Sequence, residues 1–255
     1  MKRGYIFPGQ GSQSVGMGRA LAEEFGAARD VFTAVDDALD QKLSQLMWDG
    51  PESELTLTEN AQPALMAVSM AVLRVLAENG IKLSDDAAYV AGHSLGEYSA
   101  LTGTGALELA DAARLLKLRG QAMQRAVPVG VGAMAALLGL EFEAVVEVAE
   151  QAEQGEEICA AANDNAVGQV VVSGHAAAVA RAIDLAKERG AKRAMELPVS
   201  APFHCALMQP AAEEMQAALA ETKIVAPSVP VIANVRAAPV SDPEEIRSLL
   251  VEQIT

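Results

Sequence analysis

The pentapeptide Gly92-His93-Ser94-Leu95-Gly96 lies between a short apolar run, Ala88 to Ala91, and a segment from Glu97 that reads as helix. In the G-x-S-x-G nucleophile elbow, the flanking glycines let the backbone turn sharply and hold the serine strained and exposed. Such an elbow needs a strand feeding a helix, which directs the chain toward an α/β architecture. The helix N-terminus that follows points backbone N–H groups at the serine, where they can hold a developing oxyanion. A Gly-rich turn with an incidental serine would show the same letters, so the elbow needs chemical partners elsewhere in the chain.

The segments around it fit that architecture. Gly4 to Phe7 predicts a buried strand stopped by Pro8-Gly9, followed by a Gly-rich loop at Gln10 to Gln13 and a helix from near Gly16. Helical spacing runs through Arg29 to Leu39, through Pro63 to Glu78 and through Leu107 to Arg125, the last ended by Pro128. Beyond that point the pattern changes. Strands are predicted at Gly132 to Leu138, Ile158 to Ala162, Gln169 to Ser173 and Lys192 to Leu197, with helices at Glu141 to Gln154 and Ala176 to Arg189. The order strand-helix-strand-strand-helix-strand is the split βαβ, or ferredoxin-like, arrangement. Residues 129–198 are therefore expected to form a small inserted subdomain, with 1–128 and 199–255 making a larger, discontinuous one. A helix at Ala206 to Glu221, a strand near Val229 to Ile232 and a helix from Pro243 belong to the larger part.

Charge and composition narrow the function. Asp and Glu outnumber Lys and Arg by 34 to 19, for a formal net charge of −15. Phosphate backbones and anionic lipid repel such a surface, so neither nucleic acid nor membrane is expected as a partner. An acidic protein partner would need a local basic patch. Cys159 and Cys205 form no CxxC pair and fit a reducing compartment. Pro8, Gly9 and Gln10 interrupt any signal-peptide core, and the uncharged stretch Val127 to Leu140 is broken by Pro128, Gly130 and Gly132. A cytoplasmic protein is expected.

A serine hydroxyl at neutral pH needs a base, and the chain has three histidines. His93 precedes the serine, and an elbow points it away, toward a packing role. His175 sits at a predicted helix start and reads as a surface capping residue. His204 lies in the Pro-rich loop Pro198 to His204, where catalytic residues are commonly presented, and by elimination is the candidate base. No acidic residue sits in a telling context to support it, so a dyad oriented by a carbonyl or an amide stands beside a triad. Arg119, late in its helix, reads either as a solvated cation favoured by the helix dipole or as a fork for a substrate carboxylate.

Taken together, the blocks FPGQGSQ (7–13), ENAQPALMAVSMA (59–71), AGHSLGEYSAL (91–101), LLKLRGQAMQ (115–124), NDNAVGQVVVSGH (163–175), AKRAMELPVSAPFHCALMQPA (191–211) and PVIANV (230–235) resemble bacterial malonyl-CoA:acyl-carrier-protein transacylases. More distantly they resemble acyltransferase domains of fatty acid and polyketide synthases. The resemblance implies an α/β-hydrolase-like core with a ferredoxin-like insertion. It implies Ser94 as nucleophile and His204 as its base, Gln10 and Leu95 backbone N–H groups as oxyanion hole, and Arg119 on the malonyl carboxylate. Phe203 would crowd the acyl pocket toward malonyl, and the Gln253 backbone carbonyl would orient the histidine. Lys187, Arg189, Lys192 and Arg193 form a basic cluster that reads equally as a docking patch for an acidic carrier protein or as a solvated helix end. Malonyl-CoA and acyl carrier protein are the implied partners, in fatty acid biosynthesis, with no cofactor or metal and a monomeric protein. Family members continue beyond the equivalent of Thr255, so a C-terminally truncated large subdomain is expected. Rival readings are a polyketide-type acyltransferase, a serine esterase or thioesterase that passes the acyl group to water, and a non-catalytic carrier-binding fragment.

Overall fold

The computed structural model describes residues 2–199 and 201–255. Strands run in the order β1 (Arg3–Phe7), β2 (Ala87–Gly92), β3 (Gly132–Leu138), β4 (Cys159–Ala166), β5 (Gln169–His175), β6 (Arg193–Glu196), β7 (Val231–Ala233) and β8 (Ala238–Val240). The chain is an α/β protein with helices packed on two sheets, and it divides into two compact units. One comprises residues 1–121 and 215–253, the other 122–214 and 254–255.

In the first unit the sheet order is β1-β2-β7-β8. β1 pairs parallel to β2, with Ile6 opposite Ala91 and Phe7 opposite Gly92, and β2 pairs parallel to β7. β8 closes the sheet antiparallel to β7. Parallel strands place their carboxyl ends together, the usual position for a ligand site in an open α/β sheet. Here Phe7 and Gly92 end side by side, so Gln10 and Ser94 follow from the same edge. The Thr58–Glu78 helix packs against helices Gly26–Leu39 and Gly96–Gly103 and buries Ala61, Leu65, Met66, Ala67, Met70 and Ala71. It begins earlier than the sequence pattern predicts, and Pro63 lies inside it rather than at its start. By length and composition this helix could cross a membrane, but 61% of its most apolar window is buried within the protein, as for a core helix. Helices Leu43–Asp49, Glu52–Leu55 and Leu83–Asp86 and strand β8 have no counterpart in the sequence-based expectation.

The second unit has the sheet order β4-β5-β3-β6, every pair antiparallel. From Gly132 to Glu196 its elements run strand, helix, strand, strand, helix, strand. Ala135 faces Val172 and Leu137 faces Val170, and these four side chains share one face because side chains alternate along a strand. Helices Phe142–Ala152 and Ala176–Glu188 lay Val145, Val148, Ala149, Ala152, Ala178, Val179, Ala182 and Ala186 against that face. Alanines let both helices approach closely, and each buried Val or Leu adds about 1.5–3 kcal/mol of transfer free energy.

Candidate active site

Gly92, the last residue of β2, and Gly96, the first of the Gly96–Gly103 helix, make the elbow possible. A Cβ on Gly92 would sit 1.9 Å from the Gly96 carbonyl, and one on Gly96 would sit 2.6 Å from the Phe7 carbonyl oxygen. Between them Ser94 adopts a left-handed backbone, φ 52°. That conformation is costly for a residue with a Cβ and is held by its surroundings. Asn234, just past β7, supplies much of that hold. Its Oδ1 accepts the Ser94 N–H at 2.7 Å, and its Nδ2 donates to the Gly92 carbonyl at 2.7 Å.

Arg119 comes to the same place from the Leu109–Ala126 helix and is only 1% exposed. The solvated-cation reading of its sequence position is therefore wrong. One guanidinium nitrogen donates to Ser94 Oγ at 3.1 Å and to Gln253 Oε1 at 2.9 Å, and the other donates to Gln62 Oε1 at 2.8 Å. The Tyr98 ring lies 5.9 Å from the guanidinium carbon. Among the described residues no carboxylate lies within ion-pair distance of Arg119, and its Nε–H has no partner. Burial works against its charge, with Tyr98 and Glu97 countering weakly. A buried cation held by neutral amides is incompletely compensated.

Behind the guanidinium the network continues. Gln253 Nε2 donates to Glu97 Oε2 at 2.7 Å and to the Ser94 carbonyl at 3.2 Å. The Asn234 N–H donates to the same Glu97 oxygen at 3.0 Å. Burial raises the Glu97 carboxyl to about 7, against the opposing effects of Asn234, Gln253 and Arg119. On the other side Gln62 donates to Thr58 Oγ1 at 3.0 Å, and Thr58 donates to Gln10 Oε1 at 2.8 Å. The loop after β1 is thereby tied to the arginine. Among the described residues, no backbone acceptor takes the Leu95 or Gln10 N–H outside the regular elements.

Of the residues expected at the site, Ser94, Leu95, Gln10, Arg119 and Gln253 all belong to the first unit. His204 and Phe203 belong to the second. His204 has a left-handed backbone, φ 59°, directly before Cys205 and the short Ala206–Met208 turn of helix, and Phe203 is buried. The loop that carries them includes Ser200, which lies outside the described residues. His93 is exposed and packs against Gly9, so it is not a core residue. His175 makes no side-chain cap; its Nδ1 instead accepts the Ile158 N–H at 3.0 Å. In the basic cluster, Lys187 pairs with Asp184 and Arg189 with Glu147, while Lys192 and Arg193 are exposed. Sequence reasoning does not single out Gln62, Glu97 or Asn234. Thr58 and Gln62, polar residues one helical turn apart in an otherwise apolar pattern, are the available signal.

A match to the acyl transferase domain covers residues 4–251. The malonyl CoA-acyl carrier protein transacylase of Bacillus subtilis is 47% identical over 99% of the chain and 78% of its own length. The chain belongs to this family of acyltransferases. The acyl-carrier-protein S-malonyltransferase of Bartonella henselae superimposes with a TM-score of 0.97 at 57% identity, over all of this chain and 81% of that one. A malonyl-transacylase solved in complex with its type II PKS acyl-carrier protein gives a TM-score of 0.95 at 43% identity, over 100% and 81% of the two chains. The elbow, the buried arginine and the amides around it are thus features of an acyltransferase, and the enzyme class follows from the family.

Proposed function

We propose that the chain transfers a malonyl group from malonyl-CoA to the phosphopantetheine thiol of acyl carrier protein, through an ester on Ser94, in fatty acid synthesis. The observation that carries this reading is Arg119, buried, without an acidic partner among the described residues, and hydrogen-bonded to Ser94 Oγ. An acyl chain ending in a carboxylate would complete its charge while its thioester carbonyl lies at the serine. An esterase for neutral acyl groups has no use for such a cation.

In the proposed cycle His204 takes the Ser94 hydroxyl proton as Oγ attacks the thioester carbonyl. The Leu95 and Gln10 N–H groups hold the oxyanion, each donor worth about 10²–10³ in rate. The C–S bond then breaks, and coenzyme A leaves as thiol with the proton from the imidazolium. In the second half the carrier thiol gives its proton to His204, its sulfur attacks the malonyl ester, and Ser94 leaves with that proton restored. The Gln253 backbone carbonyl orients the imidazole, and Phe203 borders the acyl group. No metal or cofactor is assigned a step, since the thioester is already activated. The relative solved with a carrier protein supports that acceptor class. The strand order of the second unit supports naming it ferredoxin-like, and the parallel strands feeding the elbow support a hydrolase-like core for the first. A cytoplasmic monomer suits the chemistry.

The test is intact-protein mass after mixing with malonyl-CoA. A gain of one malonyl group, absent in Ser94→Ala and discharged by phosphopantetheinylated carrier protein, is expected. A folded protein that gains nothing, or that loses the group to water as fast without carrier, overturns the transferase reading.

A further inference from the structure

The proposed cycle leaves a buried carboxyl unused. Glu97 is 2% exposed, and one of its oxygens, Oε2, receives both the Gln253 amide at 2.7 Å and the Asn234 N–H at 3.0 Å. Burying a carboxyl is unfavourable, and the start of this helix does not need one. Its value lies in what the two donors do next.

A glutamine amide has nearly the same shape either way round but opposite polarity. Gln253 stands between Arg119 and Glu97. With its NH2 on the carboxyl, its oxygen is left for the guanidinium, at 2.9 Å. Turned over, it would set two donors against each other at Arg119 and two acceptors against each other at Glu97. The acceptor at Glu97 therefore selects the amide orientation, and the amide orientation gives Arg119 one of its two side-chain amide acceptors beside Ser94. Through the Asn234 backbone the same oxygen also anchors the side chain that receives the Ser94 N–H.

We propose that Glu97 is a positioning residue for acyl loading, fixing Gln253 so that Arg119 presents its guanidinium to the substrate carboxylate beside Ser94. This rests on the malonyl-transfer reading above. What matters is an acceptor oxygen at this point, not a charge, since Gln can place a carbonyl oxygen where Oε2 stands.

The experiment compares single-turnover acylation of Ser94 by malonyl-CoA and by acetyl-CoA, which lacks the carboxylate. Glu97→Leu should lower the malonyl-to-acetyl rate ratio by about 10²-fold, the cost of a misplaced positioning group. Glu97→Gln should keep that ratio within roughly threefold of wild type, because both hydrogen bonds survive. Gln253→Leu should reproduce the Glu97→Leu ratio, and the double variant should fall no further than either single, as for two members of one relay. If Glu97→Leu fails to fold, Gln253→Leu and Glu97→Gln still decide. Equal losses with both acyl groups, an unchanged ratio, or a Glu97→Gln ratio as poor as that of Glu97→Leu would overturn the relay. The Arg119 guanidinium NMR signals give a readout independent of turnover. They should be sharp in wild type and Glu97→Gln and broadened in Glu97→Leu. Sharp signals in a folded Glu97→Leu would reject the relay, whereas a wild type with sharp signals that is not acylated would reject the reaction and leave the relay standing.

Discussion

Glu97 is surrounded by hydrogen-bond donors rather than by a directly paired cation, so burial dominates its titration and places it at about 7. In the unfolded chain the same carboxyl titrates near its ordinary value, about 4.3. Below that pH both states hold the proton. Between the two values the folded protein keeps a proton that the unfolded chain has lost, so this contribution to stability fades as pH rises and is gone above about 7. Over that window the effect amounts to about 3–4 kcal/mol. Urea unfolding of wild type and Glu97→Gln at pH 5 and pH 8 should therefore show the wild type losing more stability than the variant, by about 2–3 kcal/mol. Parallel losses in the two proteins would mean that Glu97 titrates as an ordinary carboxylate. The elbow at Ser94 is legible in the sequence because glycines on either side of a serine demand a sharp turn. The proposed base narrows to His204 because histidines are few. The residues alone leave Arg119 undecided, because its place late in a helix looks the same whether that face meets water or a buried amide pair, and only the resemblance singles it out. Glu97 and Asn234 are hidden for a related reason: their roles are set by partners more than a hundred residues away, as in the Asn234 to Glu97 bond.

At the scale of elements, the elbow is a place where backbone meets backbone. A methyl group on Gly92 would fall 1.9 Å from the Gly96 carbonyl carbon and oxygen, and neither atom can turn aside as a side chain would. Gly92→Ala should therefore cost about 4 kcal/mol or more, in the range reserved for steric or core failures, and denaturant titration of the purified variant would measure it. A midpoint near that of wild type would show that β2 and the following helix can separate without penalty. Legibility differs between elements for equally local reasons. β3 occupies the very residues its pattern predicts, Gly132–Leu138, because Pro128 and the glycines on both sides punctuate it and its apolar run is unbroken. The sequence pattern starts the Thr58–Glu78 helix at Pro63, since proline favours a first turn. Its true first turn contains Asn60 and Thr58, whose side chains bond within the protein rather than to water. Helices of four to seven residues, such as Leu83–Asp86, are too short to show a period. β8, three residues with a central proline, lacks the composition of a strand and exists because it pairs with β7.

For the whole molecule, charge governs how a partner approaches. A net charge of −15 repels an acidic carrier protein at a distance, and the repulsion falls as salt is added. A productive encounter then depends on where the unpaired cations stand. Lys187 and Arg189 are committed to Asp184 and Glu147. Lys192 and Arg193 are exposed, make no ion pair among the described residues, and sit where the chain enters β6. The order of strands and helices around the second sheet can be read from the change of pattern after Pro128, but which lysines and arginines are unpaired cannot. Ion pairing depends on neighbours across helices, as with Glu147 in the preceding helix. If these two cations guide the carrier, reversing both (Lys192→Glu with Arg193→Glu) should slow discharge of the malonyl enzyme by carrier protein about tenfold at low salt, a steering effect of ordinary size. The deficit should shrink as ionic strength rises toward about 0.5 M, where screening reaches only a few ångströms. Loading from malonyl-CoA should change far less, because in the proposed reaction its carboxylate is met by Arg119. The observation that would remove these two residues from carrier docking is an undiminished discharge rate at low salt. A deficit that persists at high salt would instead place them in direct, short-range contact with the carrier, where screening no longer reaches.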